Sequence, residues 1–465
     1  MSADHPSETR ADEIARRLPA DFIWGAATAS YQIEGAAKED GRGESIWDRF
    51  SHTPGMVRDG DTGDVACDHY HRWREDIAIM RELGLAAYRF SIAWPRILPD
   101  GTGAVNEVGL DWYERLVDGL LEAGIQPWAT LYHWDLPQAL QDRGGWPARE
   151  TVDAFVRYAD IVARRLGDRI AGWITHNEPW VAGFVGHYQG RHAPGITDLG
   201  AAIKASHHIL LSHGRAVPVL RAATPNVPVG ITLNLNTIRS ASSSREDQAA
   251  ARRDDGYLNR WFLDPIFGRG YPSDLVEAFG GLMPKIPDGD LAEIAVPIDF
   301  LGINNYFPNY VRAVERGPGH ELGISHLRED ELRQRGFEIT EMGWPVAPDA
   351  FGELLVRVHR EYRPPAIYVT ENGCAFADTV QDGAVHDDRR TAYLAGHLAA
   401  LTGAVEAGSP VRGYFVWSLL DNFEWGHGYS KRFGVVHVDF ESQQRIVKDS
   451  GRWYQGLIRA HSSRA

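Results

Sequence analysis

Two glutamates stand where a barrel enzyme would keep its chemistry. Glu178 lies in Trp173-Ile-Thr-His-Asn-Glu-Pro-Trp180 and Glu371 in Ile367-Tyr-Val-Thr-Glu-Asn-Gly373, each closing an apolar, β-rich run and each beside an asparagine. A carboxylate just past a buried parallel strand sits on the catalytic face of a barrel, and two carboxyls can divide the acid/base and nucleophilic work of splitting a glycosidic bond. Each glutamate also has a plainer reading. Glu178 precedes Pro179, and proline biases its predecessor toward extended backbone, so Glu178 could simply end a strand. Thr370-Glu-Asn-Gly373 could be an ordinary Asn-Gly turn. The case for chemistry rests on the two together.

The elements that must carry them alternate along the chain. Strand-like runs cover residues 22–28, 87–92, 127–132, 170–175, 227–233, 300–306, 366–370 and 411–419, with helical patterns between them. Between the third and fourth runs, Phe155, Tyr158, Val162 and Leu166 recur at helical spacing, and Gly167 is placed to stop the helix. Repeated strand-helix-strand order implies a parallel sheet, and near-continuous apolar strands buried on both faces fit a closed (β/α)8 TIM barrel of the α/β class better than an open sheet. The open alternative also lacks its ligand signature. Trp24-Gly-Ala-Ala-Thr-Ala-Ser30, after the first run, does not have the glycine spacing of a phosphate loop, so a dinucleotide enzyme is disfavoured.

At 465 residues the chain could hold about three domains of average size. No low-complexity linker or shift in composition divides it. The expected organisation is therefore a flexible N-terminal tail, residues 1–17, followed by one barrel domain, residues 18–465, with extended loops at the C-terminal face of the strands. The polar stretch 312–342 follows the sixth run and is expected to form part of the mouth.

Six of the eight runs end in groups suited to a sugar, which presents hydroxyl edges and apolar C–H faces. Gln32 and Glu34 follow the first run, Arg89 lies in the second, and His133 and Trp134 follow the third. Asn177 accompanies Glu178, Asn304 and Tyr306 belong to the sixth, and Trp417 ends the eighth. Arg89, inside a hydrophobic strand, needs a carboxylate partner, and Glu371 is the candidate. Of the 15 tryptophans, most should be packing, and Trp134, Trp344, Trp417 and Trp425 are the binding candidates. His69, His71, His133, His176, His187 and His192 show no metal-ligand helix spacing, so no metal and no cofactor is expected.

Composition narrows the partners. The net charge is −15 and no Lys/Arg cluster opposes it, which argues against nucleic acid. No apolar run approaches the roughly 20 residues that span a bilayer, so no membrane association is expected. The first 17 residues are polar and lack the apolar stretch of a secretory signal. Only two cysteines occur, Cys67 and Cys374, which is not a disulfide scaffold, and a cytoplasmic location is expected.

At this level of detail the chain resembles the β-glucosidases of glycoside hydrolase family 1, a retaining (β/α)8 family, over roughly residues 18–458. Phe22-Ile-Trp-Gly25 with Tyr31-Gln-Ile-Glu-Gly35, Ser45-Ile-Trp-Asp48 and Tyr88-Arg-Phe-Ser-Ile-Ala-Trp-Pro-Arg96 carry the resemblance in the first part. Thr130-Leu-Tyr-His-Trp-Asp-Leu-Pro137, Asn177-Glu-Pro179, Thr370-Glu-Asn-Gly373 and Trp417-Ser-Leu-Leu-Asp-Asn-Phe-Glu-Trp425 follow in family order.

The resemblance implies that Glu178 is the acid/base and Glu371 the nucleophile. Arg89 and Tyr306 would support the nucleophile, Asn177 would contact the sugar 2-hydroxyl, and Asn304 would belong to the same supporting set. Gln32, His133, Trp134, Trp417, Glu424, Trp425 and Phe433 would bind the sugar, and Trp180, Val185 and Trp344 would line the leaving-group side. Glu424-Trp425 favours an unphosphorylated sugar, because the 6-phospho members replace that pair. Two positions depart from the common pattern: His176, where Phe or Leu is usual, and Asn305, where Tyr is common. Both side chains are expected to face away from the sugar, since neighbours alternate along a strand.

The implied function is retaining hydrolysis of terminal β-D-glucosyl residues from aryl or alkyl β-glucosides, cellobiose and short cello-oligosaccharides, with the two carboxyls about 5 to 5.5 Å apart. The alternatives are β-galactosidase or β-fucosidase specificity, transglycosylation, or a sugar-binding barrel without turnover. The oligomeric state is not legible.

Overall fold

Strands that are apolar on both faces need cover on both sides, and a closed barrel ringed by helices supplies it. The computed structural model, which describes residues 6–317 and 319–464, has this architecture. The eight expected strands are β1 (Ile23–Ala27), β2 (Ala87–Ser91), β3 (Gln126–Tyr132), β4 (Gly172–Asn177), β5 (Val229–Asn234), β6 (Phe300–Asn304), β7 (Ile367–Asn372) and β8 (Val411–Trp417). Each is parallel to its neighbours, and β8 returns to β1 with Ala27 beside Trp417, which closes the barrel. The lower barrel is filled by aromatic rings from four strands. Trp128 packs with its ring centroid 4.6 Å from Tyr368, 5.4 Å from Phe300 and 5.6 Å from Phe415.

The strand pairing is interrupted where the glutamates sit. The register of β4 against β5 shifts between Ile174 and Asn177, and that of β7 against β6 shifts between Val369 and Glu371. Such irregularities re-aim side chains at the rims of barrels.

The helix expected before β4 spans Glu150–Leu166 and buries Phe155, Tyr158, Val162 and Leu166 completely. Each such side chain contributes about 1.5–3 kcal/mol relative to exposure. Gly167 ends it, but not through left-handed backbone, since its φ is −66°. Glycine is required there by space: a Cβ would lie 1.9 Å from Thr224 Cγ2 and 2.4 Å from the Ala163 carbonyl oxygen.

The N-terminus differs from expectation. Residues 1–5 of the expected tail lie outside the described residues, but from Pro6 to Arg17 the chain is a helix. Ala11, Ile14 and Ala15, with Leu18 just beyond, form a buried stripe against the helices Asp388–Glu406 and Asp449–Ser462. Arg17 makes a two-point pair with Glu406, both bonds 2.8 Å, and Arg464 Nη1 donates to the Ala15 carbonyl at 2.6 Å. A narrow apolar stripe at helical spacing is enough to dock this segment, and averaging over its many polar residues conceals the stripe.

The stretch 312–342 does reach the mouth. It contributes strand Ile324–His326 and helix Glu329–Gln334, and that strand joins Asn309–Ala313 and Ile238–Ser240 in a small sheet outside the barrel. Among the described residues no helix is long and apolar enough to cross a membrane.

Candidate active site

The cavity opens at the C-terminal ends of the strands, with a volume of about 560 Å³, within the usual range for small-molecule sites. Glu178 and Glu371 both line it. β4 ends at Asn177, and Glu178 turns the chain with φ 49° before Pro179 opens the next helical segment. The residue before this proline is thus left-handed and not extended, a conformation that costs on the order of 1–3 kcal/mol and recurs at functional sites. On β7 the Asn-Gly pair is not a simple turn either. Gly373 is required by close approach, because a Cβ would lie 1.8 Å from the Trp417 carbonyl oxygen.

The two carboxyls have different partners. Glu371 receives Arg89 Nη1 on Oε1 and the Tyr306 hydroxyl on Oε2, both at 2.5 Å. Glu178 receives an amide, Asn304 Nδ2, on Oε1 at 2.6 Å. Burial, then the nearby charge of Glu371, raises Glu178 to about 8, with Asn304 and Arg89 opposing. Burial pushes Glu371 up as well, and the Arg89 guanidinium and the Tyr306 hydroxyl oppose it. Two strong donors, one of them charged, stabilise a carboxylate more than one neutral amide does, so of the pair Glu371 keeps the charge and Glu178 the proton. Burial and the Glu371 charge hold the Tyr306 phenol in its donating form.

A relay of neutral groups orients the rest. Thr232 Oγ1 donates to Thr370 Oγ1 at 3.2 Å, and Thr370 Oγ1 donates to Asn304 Oδ1 at 2.7 Å. This turns the Asn304 amide nitrogen toward Glu178 Oε1 and toward Asn177 Oδ1, the latter at 3.0 Å. Asn177 Oδ1 also accepts from Arg89 Nη2 at 2.5 Å, so Asn177 Nδ2 faces His133 Nε2 at 3.1 Å. His133 is held neutral by burial and by Arg89. Its Nε2 therefore accepts, leaving an Nδ1–H with no partner among the described residues.

Other expected residues fall into three groups. Trp417, Glu424, Trp425 and Phe433 line the cavity with His133. Burial, then the Glu371 charge, raises Glu424 to about 8, opposed by Gln32. Trp134 also lines it, but its indole N–H is taken by the Asn177 carbonyl at 2.9 Å, and its ring packs 4.5 Å from that of Trp425.

Gln32, Arg89 and Asn177 are wholly buried behind these groups. Gln32 Nε2 serves Asn422 Oδ1 and the Phe423 carbonyl, both at 2.9 Å, and its Oε1 has no partner among the described residues. Glu34 takes no part in the cavity wall; it pairs with Arg96 at 2.7 Å and accepts from Tyr113. Trp180, Val185 and Trp344 line the outer part.

The two departures do point away from the cavity. His176 stacks on Phe155, with centroids 4.4 Å apart, and bonds Ser212, while Asn305 donates to the Leu235 carbonyl at 2.8 Å.

The loops after β7 and β8 are tied by a buried ionic knot. Lys448 Nζ reaches Asp421 at 2.7 Å and Asp378 at 2.5 Å, Arg432 pairs with Asp421 at 2.7 Å, and Arg390 with Asp378 at 2.8 Å. Neither this knot nor the threonines were found from the sequence, nor were Tyr257, Asp254 and His326, which line the outer wall. A threonine in a strand or an aspartate in a loop has no local signal for such a role. Among the described residues, no group of three or more His, Cys, Asp or Glu is placed to hold a metal ion.

Comparison with known proteins agrees with this geometry. Residues 14–463 match the family described as Glycosyl hydrolase family 1. The chain is 49% identical to beta-glucosidase A of Acetivibrio thermocellus, over 95% of this chain and 98% of that one. It is 46% identical to the bifunctional beta-D-glucosidase/beta-D-fucosidase of Bifidobacterium breve, over 96% and 99% of the two chains. The structure of the family 1 β-glucosidase from Thermotoga maritima superposes with a TM-score of 0.92 at 48% identity, covering 96% of this chain and 98% of that one. With its closed barrel and its paired carboxyls at the ends of β4 and β7, this chain belongs to glycosyl hydrolase family 1.

Proposed function

We propose that the protein is a retaining β-glucosidase in which Glu371 is the nucleophile and Glu178 the acid/base. The observation that carries the division of labour is the unequal donor set: Arg89 and Tyr306 on Glu371, one amide on Glu178. In the first step a Glu371 oxygen bonds the anomeric carbon as the bond to the leaving oxygen breaks. Asn304 occupies Glu178 Oε1, so the proton sits on Oε2 and passes to the leaving oxygen. Esterification removes the charge on Glu371, and the carboxyl of Glu178 then falls in pKa and serves as a base. It takes a proton from water as the water oxygen bonds the anomeric carbon and Glu371 departs, so the β configuration is kept.

The sugar end is supported by spare polar atoms, the Nδ1–H of His133 and Oε1 of Gln32, together with Glu424 and the Trp417 and Trp425 rings. A buried polar atom without a partner costs about 1–3 kcal/mol, which sugar hydroxyls offset. Aryl or alkyl β-glucosides, cellobiose and short cello-oligosaccharides are the proposed substrates, in a cytoplasmic setting. β-Fucoside hydrolysis is the second reading, favoured by the bifunctional name of the Bifidobacterium relative.

Proton NMR of the first product from an aryl β-D-glucoside tests the proposal. β-Glucose from the wild type and no product from Glu371→Gln is expected. α-Glucose first would sink the mechanism, and rates on matched glucoside, fucoside and galactoside rank the sugars.

A further inference from the structure

Arg191 lies at the exposed rim of the cavity, just beyond the short helical segment that follows Glu178. Its Nε and Nη2 both go to one amide oxygen, Gln189 Oε1, at 2.9 and 2.5 Å. Among the described residues no carboxylate is bonded to it or paired with it, and burial lowers its pKa, with the Tyr257 phenol opposing. The other cations near the mouth are engaged. Lys431 donates to the Glu341 carbonyl at 2.6 Å, Arg58 lies 3.4 Å from Asp59, and His326 pairs with Asp254 at 3.1 Å. His427 and His192 beside Arg191 are kept neutral, both chiefly by burial. In a chain with 63 acidic and 48 basic side chains, an arginine facing a substrate cavity without a carboxylate is exceptional in its surroundings.

Aromatic rings line the same cavity as Arg191 and the two glutamates. The Trp180 and Tyr257 rings meet edge to face at 5.7 Å, and Trp344 stacks on Phe307 at 4.6 Å. The remaining acid of the outer wall, Asp254, is already compensated by His326 and by Asn309 Nδ2 at 2.9 Å. A planar ring that carries a carboxylate matches this combination of surfaces in one cavity, because a guanidinium fork binds carboxylate at two points and aromatic walls take the ring.

We propose that Arg191 is a specificity-determining residue that receives a carboxylate on the leaving group, so that aromatic β-glucosides with an anionic aglycone are favoured substrates. This rests on the β-glucoside reading above. Because Arg191 is at a solvated rim, the selection is several-fold and weakens with salt.

The test compares 4-carboxyphenyl and 4-carbamoylphenyl β-D-glucoside on wild type, Arg191→Met and Arg191→Lys, each checked by thermal melting. The ratio of kcat/KM for acid over amide is expected to fall about five- to tenfold in Arg191→Met, mainly through KM. Arg191→Lys, which keeps the charge but not the two-point fork, should restore part of it, and 0.5 M NaCl should shrink it in the wild type. A ratio in Arg191→Met within about twofold of wild type overturns the assignment. If the wild type hydrolyses neither these nor 4-nitrophenyl β-D-glucoside, the β-glucosidase reading fails. Calorimetric affinities of the two S-linked glucosides then decide on Arg191 by the same ratio.

Discussion

At the inner end of the cavity Glu371, Asn304, Asn177 and Arg89 come from four different strands and hold one another through bonds of 2.5–3.0 Å, whereas the outer wall is made outside the barrel, by the helical segments of Trp180, Val185, Asp254 and Tyr257, the loop of Trp344 and the small sheet of His326. Strand residues inherit the rigidity of the barrel, and the loops behind Glu424-Trp425, the pair proposed to bind the sugar, are fastened by the Lys448 knot. The outer residues Trp180, Tyr257 and Trp344 meet through ring contacts, which tolerate different shapes. The contrast suggests that chemistry and sugar recognition are set at the inner end, and leaving-group choice at the outer one.

The sharpest way to break that contrast is at Glu178. Glu178→Ala should lower kcat/KM for alkyl glucosides and cellobiose by about 10²–10⁴-fold, the usual worth of a positioned acid. Substrates with a good leaving group, such as 2,4-dinitrophenyl β-D-glucoside, should lose far less in their first step. Equal losses would remove Glu178 from the acid role.

Tyr306→Phe sharpens the inner end further. It removes a hydrogen bond to the charged form of Glu371, so the Glu371 pKa rises and the acidic limb of the kcat/KM profile moves up by about one unit. Activity at neutral pH should fall about tenfold. The basic limb reports Glu178, which must be protonated in the first step, so activity is lost as pH rises through about 8, and this limb should move much less. An unmoved acidic limb would mean that the Tyr306 bond does not stabilise the ionised nucleophile.

The smallest effect belongs to the outer wall. Trp180→Ala should raise KM for aryl glucosides about three- to tenfold, the worth of an aromatic contact, with kcat nearly unchanged. Initial rates on aryl and methyl β-glucoside check this. A larger fall in kcat than in affinity would tie the two ends together.

Much of the barrel was legible because a parallel strand buried on both faces is a continuous apolar run, and eight such runs survive inspection without any knowledge of contacts. The glutamates were legible for the same reason, as charges that interrupt those runs. The docked helix Pro6–Arg17 was not, since its apolar stripe is a few residues in a polar segment. The outer sheet was also hidden. Strands of three to five residues such as Ile238–Ser240 carry too little pattern, and backbone pairing with Asn309–Ala313 stabilises them. Gly167 was legible as a helix stop and Gly373 as part of a possible Asn-Gly turn, but the crowding by a neighbouring segment that requires glycine at each was not.

The chain by itself determined the alternation of strand and helix, the closed barrel that follows from it, and the set of carboxyls and aromatic side chains delivered to the strand ends. Which carboxyl holds the proton was decided only in three dimensions. Burial raises both, and the difference arises because Arg89 of β2 and Tyr306 beyond β6 converge on Glu371 of β7, while Glu178 receives the Asn304 amide from β6. Those donors are remote from one another in sequence, and a pKa depends on the few ångströms around a group, which only the closure of the barrel brings together.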